Sequence, residues 1–406
     1  MRTCASTRWV AAVLVTGLLW PGVAMAAAAG AAPLVQPTAA MASTAASLDI
    51  KAPSAVLIDA GSGQVLLERN SHERRAIASM TKLMTLVLAF EAIEAGKVAL
   101  QDKVTASTNA YRLGGAQIWL APGEVMPLED MLRAVAMQSA NDGAVAVGEY
   151  IAGSVENFVA LMNQRAKELG MVDTHYMNPH GLDEPDHYSS AYDMAVLGRE
   201  AVRYPKLLEF TKTWQYYLRV DPTTGKGKTW LVNTNRLLVS MPGVDGLKTG
   251  FTNQSQYCLT ATMKRGDLRL IAVVMGLPEG KQRFDEAGKL LNFGFANYTG
   301  VPVAKADEKV GEVPVQRGLA DKVEVVPEAG FSVTVPKGKE SGLKREIQLP
   351  KRVYAPVLRG AHLGALVLTR DGQEVGRVNL VAATSVKRIS YFRLVGRLFG
   401  RVIRGD

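Results

Sequence analysis

The sequence predicts an α+β fold. Short apolar strands stand near both ends of its first 300 or so residues, and amphipathic helices lie between them. The first strands are Val56–Ile58 and Val65–Leu67, and residues 257–262 and 268–275 form a hairpin at the other end. Helical periodicity then disappears, and short alternating segments predict a separate all-β domain over residues 303–385.

The first residues indicate export. Residues 1–26 contain two arginines and no acid, with an apolar run at 9–20 and small residues at 24–26, which is the pattern of a secretory signal peptide. An uncleaved anchor or a buried helix is the alternative. Residues 27–48 are Ala-rich with prolines, which predicts a mobile linker before a first domain at 49–298.

The last residues form a basic amphipathic pattern. Over residues 386–406, apolar side chains recur on one helical face, and Arg393, Arg397, Arg401 and Arg404 share the other. This predicts a helix that lies on an anionic membrane surface, the alternative being a helix docked on its own domain. Most of the formal charge of +9 belongs to the two ends of the chain. The nearly neutral body argues against binding of nucleic acid.

Helical spacing of apolar residues places the candidate motifs on elements of the first domain. A helix begins at Ser79 and ends near Gly96, and a polar loop covers 173–190. The remaining predicted helices are 127–138, 143–150, 155–169 and 283–296.

Ser79 and Lys82 form an S-x-x-K pattern at a predicted helix start. Residues three apart share a helix face, so the lysine can reach the serine hydroxyl. A serine nucleophile needs an adjacent base, and a lysine can serve if burial or a nearby cation lowers its pKa. The alternative is a helix-capping serine followed by a solvated lysine.

Two further motifs have weak individual signals. Ser139 and Asn141 stand in the joint between two predicted helices, where both can face a cleft or simply cap a turn. Lys248 and Thr249 precede a hairpin and can face a substrate carboxylate, while Gly250 permits close backbone approach. An ordinary turn before the hairpin is the alternative there.

The three motifs in this order are far more specific than each alone, because S-x-x-K, S-D-N and K-T-G occur together in penicillin-binding proteins and class A β-lactamases. Here they read S-M-T-K, S-A-N and K-T-G, and the flanking words H-G-L-D (180–183) and V-D-G-L-K-T-G (244–250) also match. The chain resembles the low-molecular-mass penicillin-binding proteins, the serine-type D-alanyl-D-alanine carboxypeptidases. This resemblance implies a transpeptidase-like fold, with an antiparallel sheet flanked by helices.

The resemblance implies roles in acyl transfer. Ser79 would attack the bond between the terminal D-alanines of a peptidoglycan stem pentapeptide, and Lys82 would take its proton. Ser139 and Lys248 would pass a proton to the leaving D-alanine. The N–H groups of Ser79 and Phe251 would form the oxyanion hole. Penicillins would acylate the same serine.

The resemblance also implies the substrate-binding residues. Asn141 would hold a peptide group, and Thr249, beside Gly250, would hold the terminal carboxylate. Some relatives have histidine where this chain has Phe251, and Arg236 is displaced by about two positions from the arginine of those relatives. Arg236 is therefore a candidate only.

No cofactor or metal is expected. No phosphate-binding or dinucleotide fingerprint appears, and His175, His180 and His187 match no ligand spacing. Cys258 lies in an apolar run and is expected to be a buried, inert thiol. The resemblance places the protein at the periplasmic face of the inner membrane, held peripherally by residues 386–406.

Three other functions remain open on the sequence alone. A DD-endopeptidase has the same motifs, although the second domain and the tail favour the carboxypeptidase. A β-lactamase needs a dedicated deacylating glutamate, for which Glu184 is the candidate. A membrane-bound scaffold of the cell wall would not require the intact motifs.

Overall fold

The computed structural model describes residues 48–219, 228–370 and 372–390. The predicted signal peptide, nearly all of the linker and most of the tail lie outside these residues. The helices are a 3₁₀ turn Ala78–Thr81, α1 Lys82–Glu94, α2 Thr108–Tyr111, α3 Leu128–Met137, α4 Asn141–Ala152, α5 Val155–Glu168, α6 Ala191–Ala201, α7 Pro205–Lys212, α8 Leu237–Ser240 and α9 Gln282–Asn297.

The strands of the first domain are β1 Ser54–Asp59, β2 Val65–Arg69, β3 Lys103–Thr105, β4 Val125–Pro127, β5 Gln215–Leu218, β6 Thr229–Val232, β7 Val244–Thr252, β8 Gln256–Arg265 and β9 Leu268–Leu277. Further along the chain come β10 Tyr298–Ala304, β11 Gly311–Gln316, β12 Lys322–Pro327, β13 Phe331–Pro336, β14 Leu343–Gln348, β15 Val353–Tyr354, β16 His362–Arg370 and β17 Gln373–Ala382.

The main sheet of the first domain is antiparallel, in the order β2-β1-β9-β8-β7. Successive side chains of a strand point to opposite faces, so a strand that is apolar throughout is buried on both. Val56 and Ile58 pack into one core, and Leu57 between them packs into another. The sheet is therefore the middle layer of three, with α9 on one face and the remaining large helices on the other.

The helical layer is organised around α1, which is buried along almost its whole length. A helix that is apolar all round belongs inside a domain, and α1 packs against α4, α6 and the neighbouring α3. Its N-terminus faces the strand β7 through the 3₁₀ turn. This arrangement brings the S-x-x-K motif next to the K-T-G motif.

The predicted helices of the first domain are present, with two differences. The segment from Ser79 to Thr81 is a 3₁₀ turn, and the α-helix begins at Lys82. Helices α6 and α7 follow the predicted polar loop, in a stretch for which no element was predicted. The Ser190 hydroxyl caps α6 by accepting a hydrogen bond from the Asp193 N–H, and Pro205 opens α7.

The second domain is built of strands. Its larger sheet has the order β14-β16-β17-β12-β11-β15, and β10 pairs with β13 beside it. The short alternating segments predicted over residues 303–385 are observed as strands β11 to β17. The α+β domain followed by a β domain thus agrees with the fold expected from the sequence.

The predicted tail helix needs a correction at its start. Val386 pairs with Val357, and Arg388 pairs with Gly318, so residues 386–390 continue along the β domain instead of opening a helix. Ile389, an apolar residue within the predicted tail helix, is buried in the β domain, and its N–H donates to the Arg317 carbonyl. Among the described residues, no single helix is long and apolar enough to span a bilayer, although the bent pair α4 and α5 together meets that length and composition.

Candidate active site

Ser79 lies in a strained turn. The preceding Ala78 has φ +45°, a left-handed conformation that is costly for alanine. Gly181 approaches so closely that a Cβ there would lie 1.9 Å from the Ala78 carbonyl oxygen. The close contact requires glycine at residue 181, and it fixes the backbone directly before Ser79.

A chain of hydrogen bonds holds the same turn from the other side. The Met177 N–H donates to His187 Nδ1 (3.0 Å), so the proton of this neutral imidazole is on Nε2. His187 Nε2 lies 2.7 Å from Thr81 Oγ1, and the Thr81 hydroxyl donates to the Ala78 carbonyl (2.8 Å). Burial lowers the pKa of His187 to about 4, which keeps the ring neutral at neutral pH.

The Lys82 amine contacts three oxygen atoms. Its Nζ lies 3.0 Å from Ser79 Oγ, 2.7 Å from Asn141 Oδ1 and 2.5 Å from the His180 carbonyl oxygen. The two carbonyl oxygens can only accept hydrogen bonds, and a neutral amine has two hydrogens. In the neutral form these hydrogens point to Asn141 and His180, which leaves the nitrogen lone pair for the Ser79 hydroxyl.

The surroundings favour that neutral form. Lys82 is fully buried, and burial lowers its pKa well below the ordinary value. The positive charge of Lys248 lowers the pKa of Lys82 further, while the Asp142 carboxylate raises it. Either burial or a nearby cation was expected to lower the pKa of Lys82, and the structure supplies both.

Ser139 and Asn141 occupy the joint between α3 and α4. Ser139 has φ +66°, and its buried hydroxyl has no hydrogen-bond partner among the described residues. An unpaired buried hydroxyl is costly, so this oxygen is available for a substrate or a transferred proton. Asn141 is the first residue of α4, and its Nδ2 donates to the Gly114 carbonyl (2.7 Å), which orients Oδ1 towards Lys82.

The K-T-G motif lies on the edge strand β7, against the Ser79 turn. A Cβ at residue 250 would lie 2.7 Å from the Ile77 carbonyl oxygen, so Gly250 is required for this contact. Lys248 is buried, and its Nζ donates to the Thr249 carbonyl (3.2 Å). Burial lowers the pKa of Lys248 to about 7, and the Arg283 guanidinium contributes to the shift.

Thr249 and Phe251 face different partners. The Thr249 and Thr234 hydroxyl oxygens are 2.6 Å apart. Phe251 is 45% exposed and stacks on Tyr257, with ring centroids 4.2 Å apart. A phenyl group therefore occupies the position for which the resemblance implied a histidine in some relatives, and Phe251 has a backbone N–H that can donate.

Arg283 is a site residue that the sequence analysis missed. Its Nη1 donates to the Gly250 carbonyl (3.0 Å), and its guanidinium lies over the Tyr257 ring. Burial lowers the pKa of Arg283, and the positive charge of the exposed Arg236 lowers it further. Arg236 is thus near the K-T-G end of the site but outside the network of Ser79 and Lys82.

The histidines serve a structural purpose in this site. The His180 carbonyl binds Lys82, and the His187 ring binds Thr81. Among the described residues, no group of three or more His, Cys, Asp or Glu side chains is arranged to hold a metal ion. Cys258 is buried, and burial raises its pKa to about 11, as expected for an inert thiol.

Comparison with known proteins gives a consistent result. Residues 39–279 match the D-alanyl-D-alanine carboxypeptidase family, and residues 298–388 match the penicillin-binding protein 5 C-terminal domain. The chain is 43% identical over 347 residues to the D-alanyl-D-alanine carboxypeptidase DacF of Bacillus subtilis, an alignment covering 85% of this chain and 88% of that protein.

Solved structures agree. The crystal structure of penicillin binding protein 5 from Haemophilus influenzae matches with a TM-score of 0.68 and 34% identity, over 84% of this chain and 99% of that one. Penicillin-binding protein D2 from Listeria monocytogenes in its ampicillin-bound form matches with a TM-score of 0.55 and 31% identity, over 61% and 99% of the two chains.

The fold and these matches define a serine hydrolase of the penicillin-binding class. The chain belongs to the D-alanyl-D-alanine carboxypeptidase family, with the C-terminal β domain of penicillin-binding protein 5. The resemblance, the fold and the hydrolase activity expected from the sequence are thereby confirmed.

Proposed function

We propose that this chain removes the terminal D-alanine from peptidoglycan stem pentapeptides through an acyl-enzyme on Ser79. The observation that carries the proposal is the environment of Lys82, whose two carbonyl partners direct its lone pair to the Ser79 hydroxyl. This is the geometry of a nucleophile with its general base.

In the acylation step, Ser79 Oγ attacks the carbonyl carbon of the penultimate D-alanine, and Lys82 Nζ accepts the hydroxyl proton. The N–H groups of Ser79 and Phe251 donate to the developing oxyanion. The C–N bond then breaks, and the leaving nitrogen takes a proton relayed from Lys82 through Ser139 or Lys248. The unpaired Ser139 hydroxyl supports its place in this relay.

In the deacylation step, a water molecule attacks the ester carbon while Lys82 accepts a proton from that water. The Ser79–acyl bond breaks, and the proton returns to Ser79 Oγ. The products are D-alanine and a stem peptide shortened by one residue. The same base serves both steps because its lone pair is restored after the leaving group is protonated.

The substrate's terminal carboxylate binds at the K-T-G strand. The protonated Lys248 and the Thr249 hydroxyl would receive it, and Arg283 adds positive charge behind Gly250. A β-lactam carries a carboxylate and a reactive amide at a similar separation, so penicillins would enter the same site and acylate Ser79. The ampicillin-bound relative from Listeria monocytogenes supports this part of the proposal.

Mass spectrometry of the penicillin adduct tests the nucleophile directly. We expect one covalent penicillin per chain, located on the peptide that contains Ser79, and no adduct in Ser79→Ala. Ser62→Ala is a matched control, because Ser62 lies in the turn between β1 and β2 and should not affect labelling. Labelling that persists in Ser79→Ala would exclude Ser79 as the nucleophile.

We further propose that the protein is exported by residues 1–26 and held at the periplasmic face of the inner membrane by its basic tail. The arginines of the tail and its apolar face support this location. Deleting residues 391–406 retains the contacts of Val386 and Ile389 with the β domain. The truncated protein should leave the membrane fraction but retain peptidase activity on small peptides, and continued sedimentation with membranes would contradict the proposal.

A further inference from the structure

Three aromatic side chains near the catalytic cleft are exposed and have no role in the proposed mechanism. Trp119 is 79% exposed, and Tyr217 and Trp230 are each 53% exposed. We call these three residues the aromatic rim. Large apolar side chains that are held in solvent beside a site are typical of surfaces that contact a ligand.

The structure holds Trp119 in place. Its backbone has φ +59°, which is a strained conformation for a bulky residue. The N–H groups of the buried residues Ile118 and Leu120, on either side of it, donate to the Asp142 carboxylate at about 3.1 Å. The loop is therefore anchored at both flanks while the indole remains in solvent, and Asp142 directly follows Asn141 of the active site.

Tyr217 and Trp230 form a second rigid element. They are direct cross-strand partners in the β5–β6 hairpin, and their rings lie 6.4 Å apart and nearly parallel, at 18°. The neighbouring pair, Tyr216 and Leu231, points to the opposite face and packs into the domain. The two exposed rings thus form a flat surface with a fixed orientation.

Arg219 joins the two elements. Its guanidinium donates to the Ile118 carbonyl (3.1 Å) and to Thr229 Oγ1 (2.6 Å), which are the neighbours of Trp119 and Trp230 in the chain. Its Nε also donates to the Glu124 carboxylate (2.7 Å). The loop of Trp119 and the β5–β6 hairpin are therefore linked through Arg219, whose guanidinium is already paired.

The aromatic rim borders the cleft. The chain runs from Trp230 through the end of β6 to Thr234, whose hydroxyl contacts that of Thr249. At about 3.3 Å per residue, these four residues span roughly 13 Å. The Val232 N–H also donates to Gln138, beside Ser139. A substrate held at Ser79 would therefore reach the aromatic rim if it extended roughly 13 Å beyond the K-T-G strand, at about 3.3 Å per residue of the connecting chain.

We infer that the aromatic rim binds a sugar ring of the peptidoglycan glycan strand that carries the stem peptide; this inference rests on the proposed function. A pyranose ring offers an apolar C–H face to an aromatic ring and hydroxyl or amide groups to the polar residues around it. An anionic lipid surface binds through cations, and the guanidinium of Arg219, which lies between the two elements, is already paired with Glu124. Binding to anionic vesicles is therefore kept as a separate outcome of the test.

Kinetics with two substrates test the inference. The first substrate is the free stem pentapeptide, and the second is the same peptide on its N-acetylglucosamine–N-acetylmuramic acid disaccharide. We expect the full-length protein to have the higher kcat/KM for the disaccharide substrate. In Trp119→Ala or Trp230→Ala, the ratio of the two kcat/KM values should fall by about three- to tenfold, the usual worth of an aromatic contact.

Two variants serve as controls. Tyr354→Ala removes an aromatic ring that is 58% exposed on the β domain, and it should keep the ratio of the unaltered protein. Trp119→Phe retains an aromatic face and should recover part of the ratio. Each variant is judged by the ratio of its two kcat/KM values. A general loss of folded protein or of acylation lowers both values together and leaves this ratio unchanged.

The inference is overturned if the unaltered protein uses both substrates equally, or if Trp119→Ala and Trp230→Ala keep its preference. It is also overturned if these variants lose binding to vesicles of anionic phospholipid with the ratio unchanged, which would assign the aromatic rim to the membrane. Failure of the proposed function would be separate, since neither substrate would then lose D-alanine and Ser79 would carry no penicillin.

Discussion

Replacing Asn141 by aspartate would place a carboxylate beside the Lys82 amine without changing the size of the side chain. Asn141 Oδ1 is 2.7 Å from Lys82 Nζ, and Lys82 is fully buried. Opposite unit charges about 4 Å apart attract by roughly 4 kcal/mol at an effective dielectric constant near 20. The carboxylate would therefore stabilise the ammonium form of Lys82, in which the nitrogen has no lone pair for Ser79.

The expected loss follows from this energy. About 1.4 kcal/mol corresponds to a tenfold change, so the equilibrium between the neutral and ammonium forms of Lys82 should shift towards ammonium by up to roughly 1000-fold. The rate of penicillin acylation should fall in proportion to the neutral fraction that remains. Since Lys82 acts as a base only when deprotonated, the lost rate should return as the pH is raised.

Asn141→Ala is the matched control for Asn141→Asp. Both substitutions remove the hydrogen bond from Asn141 Nδ2 to the Gly114 carbonyl, but only aspartate adds a negative charge. The rate of acylation by a labelled penicillin is measured across pH for both variants. Lys248 titrates in both of them, so its effect cancels in the ratio of the two rates at each pH. If the two profiles have the same acid limb, Lys82 is not the titrating base and the reasoning is refuted.

Three further predictions concern the turn and the second lysine. Thr81→Val should leave the His187 ring and the Ala78 carbonyl without their hydrogen-bond partner. This should lower the free energy of unfolding by about 1–3 kcal/mol and slow acylation. Thr81→Ser keeps the hydroxyl and should keep both the stability and the acylation rate. Gly181→Ala should lower the thermal midpoint and displace the turn, because its Cβ would lie 1.9 Å from the Ala78 oxygen; an unchanged midpoint and acylation rate would contradict the described contact. As the pH rises through about 7, Lys248 of the free enzyme loses its proton, so kcat/KM for a carboxylate-bearing peptide should fall; a flat profile from pH 6 to 8 would argue against this role.

The sequence predicted those parts of the site that local spacing determines. Ser79 and Lys82 are one helical turn apart, so their contact follows from the periodicity of the chain. The strands Val56–Ile58 and 268–275 were identifiable because both faces of the sheet are covered, which makes these segments continuously apolar.

Other parts depend on contacts between distant residues, which a single sequence does not display. Arg283 reaches Gly250 only because α9 packs across the sheet, and His187 reaches Thr81 across 106 residues of chain. The positive φ of Ala78 is equally hidden, since alanine gives no conformational signal of the kind that glycine gives. The tail helix was placed too early because Ile389 fits the helical period and also fits the edge of the β domain.

The position of β7 at the border of the sheet has a consequence for solubility as well as for catalysis. An edge strand such as β7 exposes unpaired main-chain N–H and C=O groups, which can pair with a strand of another chain. In the first half of β7, side chains occupy the carbonyls: Thr211 donates to that of Asp245, and Asn235 donates to that of Gly246. Further along, Lys248 donates to the Thr249 carbonyl and Arg283 to that of Gly250, so side chains cover main-chain acceptors along β7 and discourage its pairing with another copy of the chain.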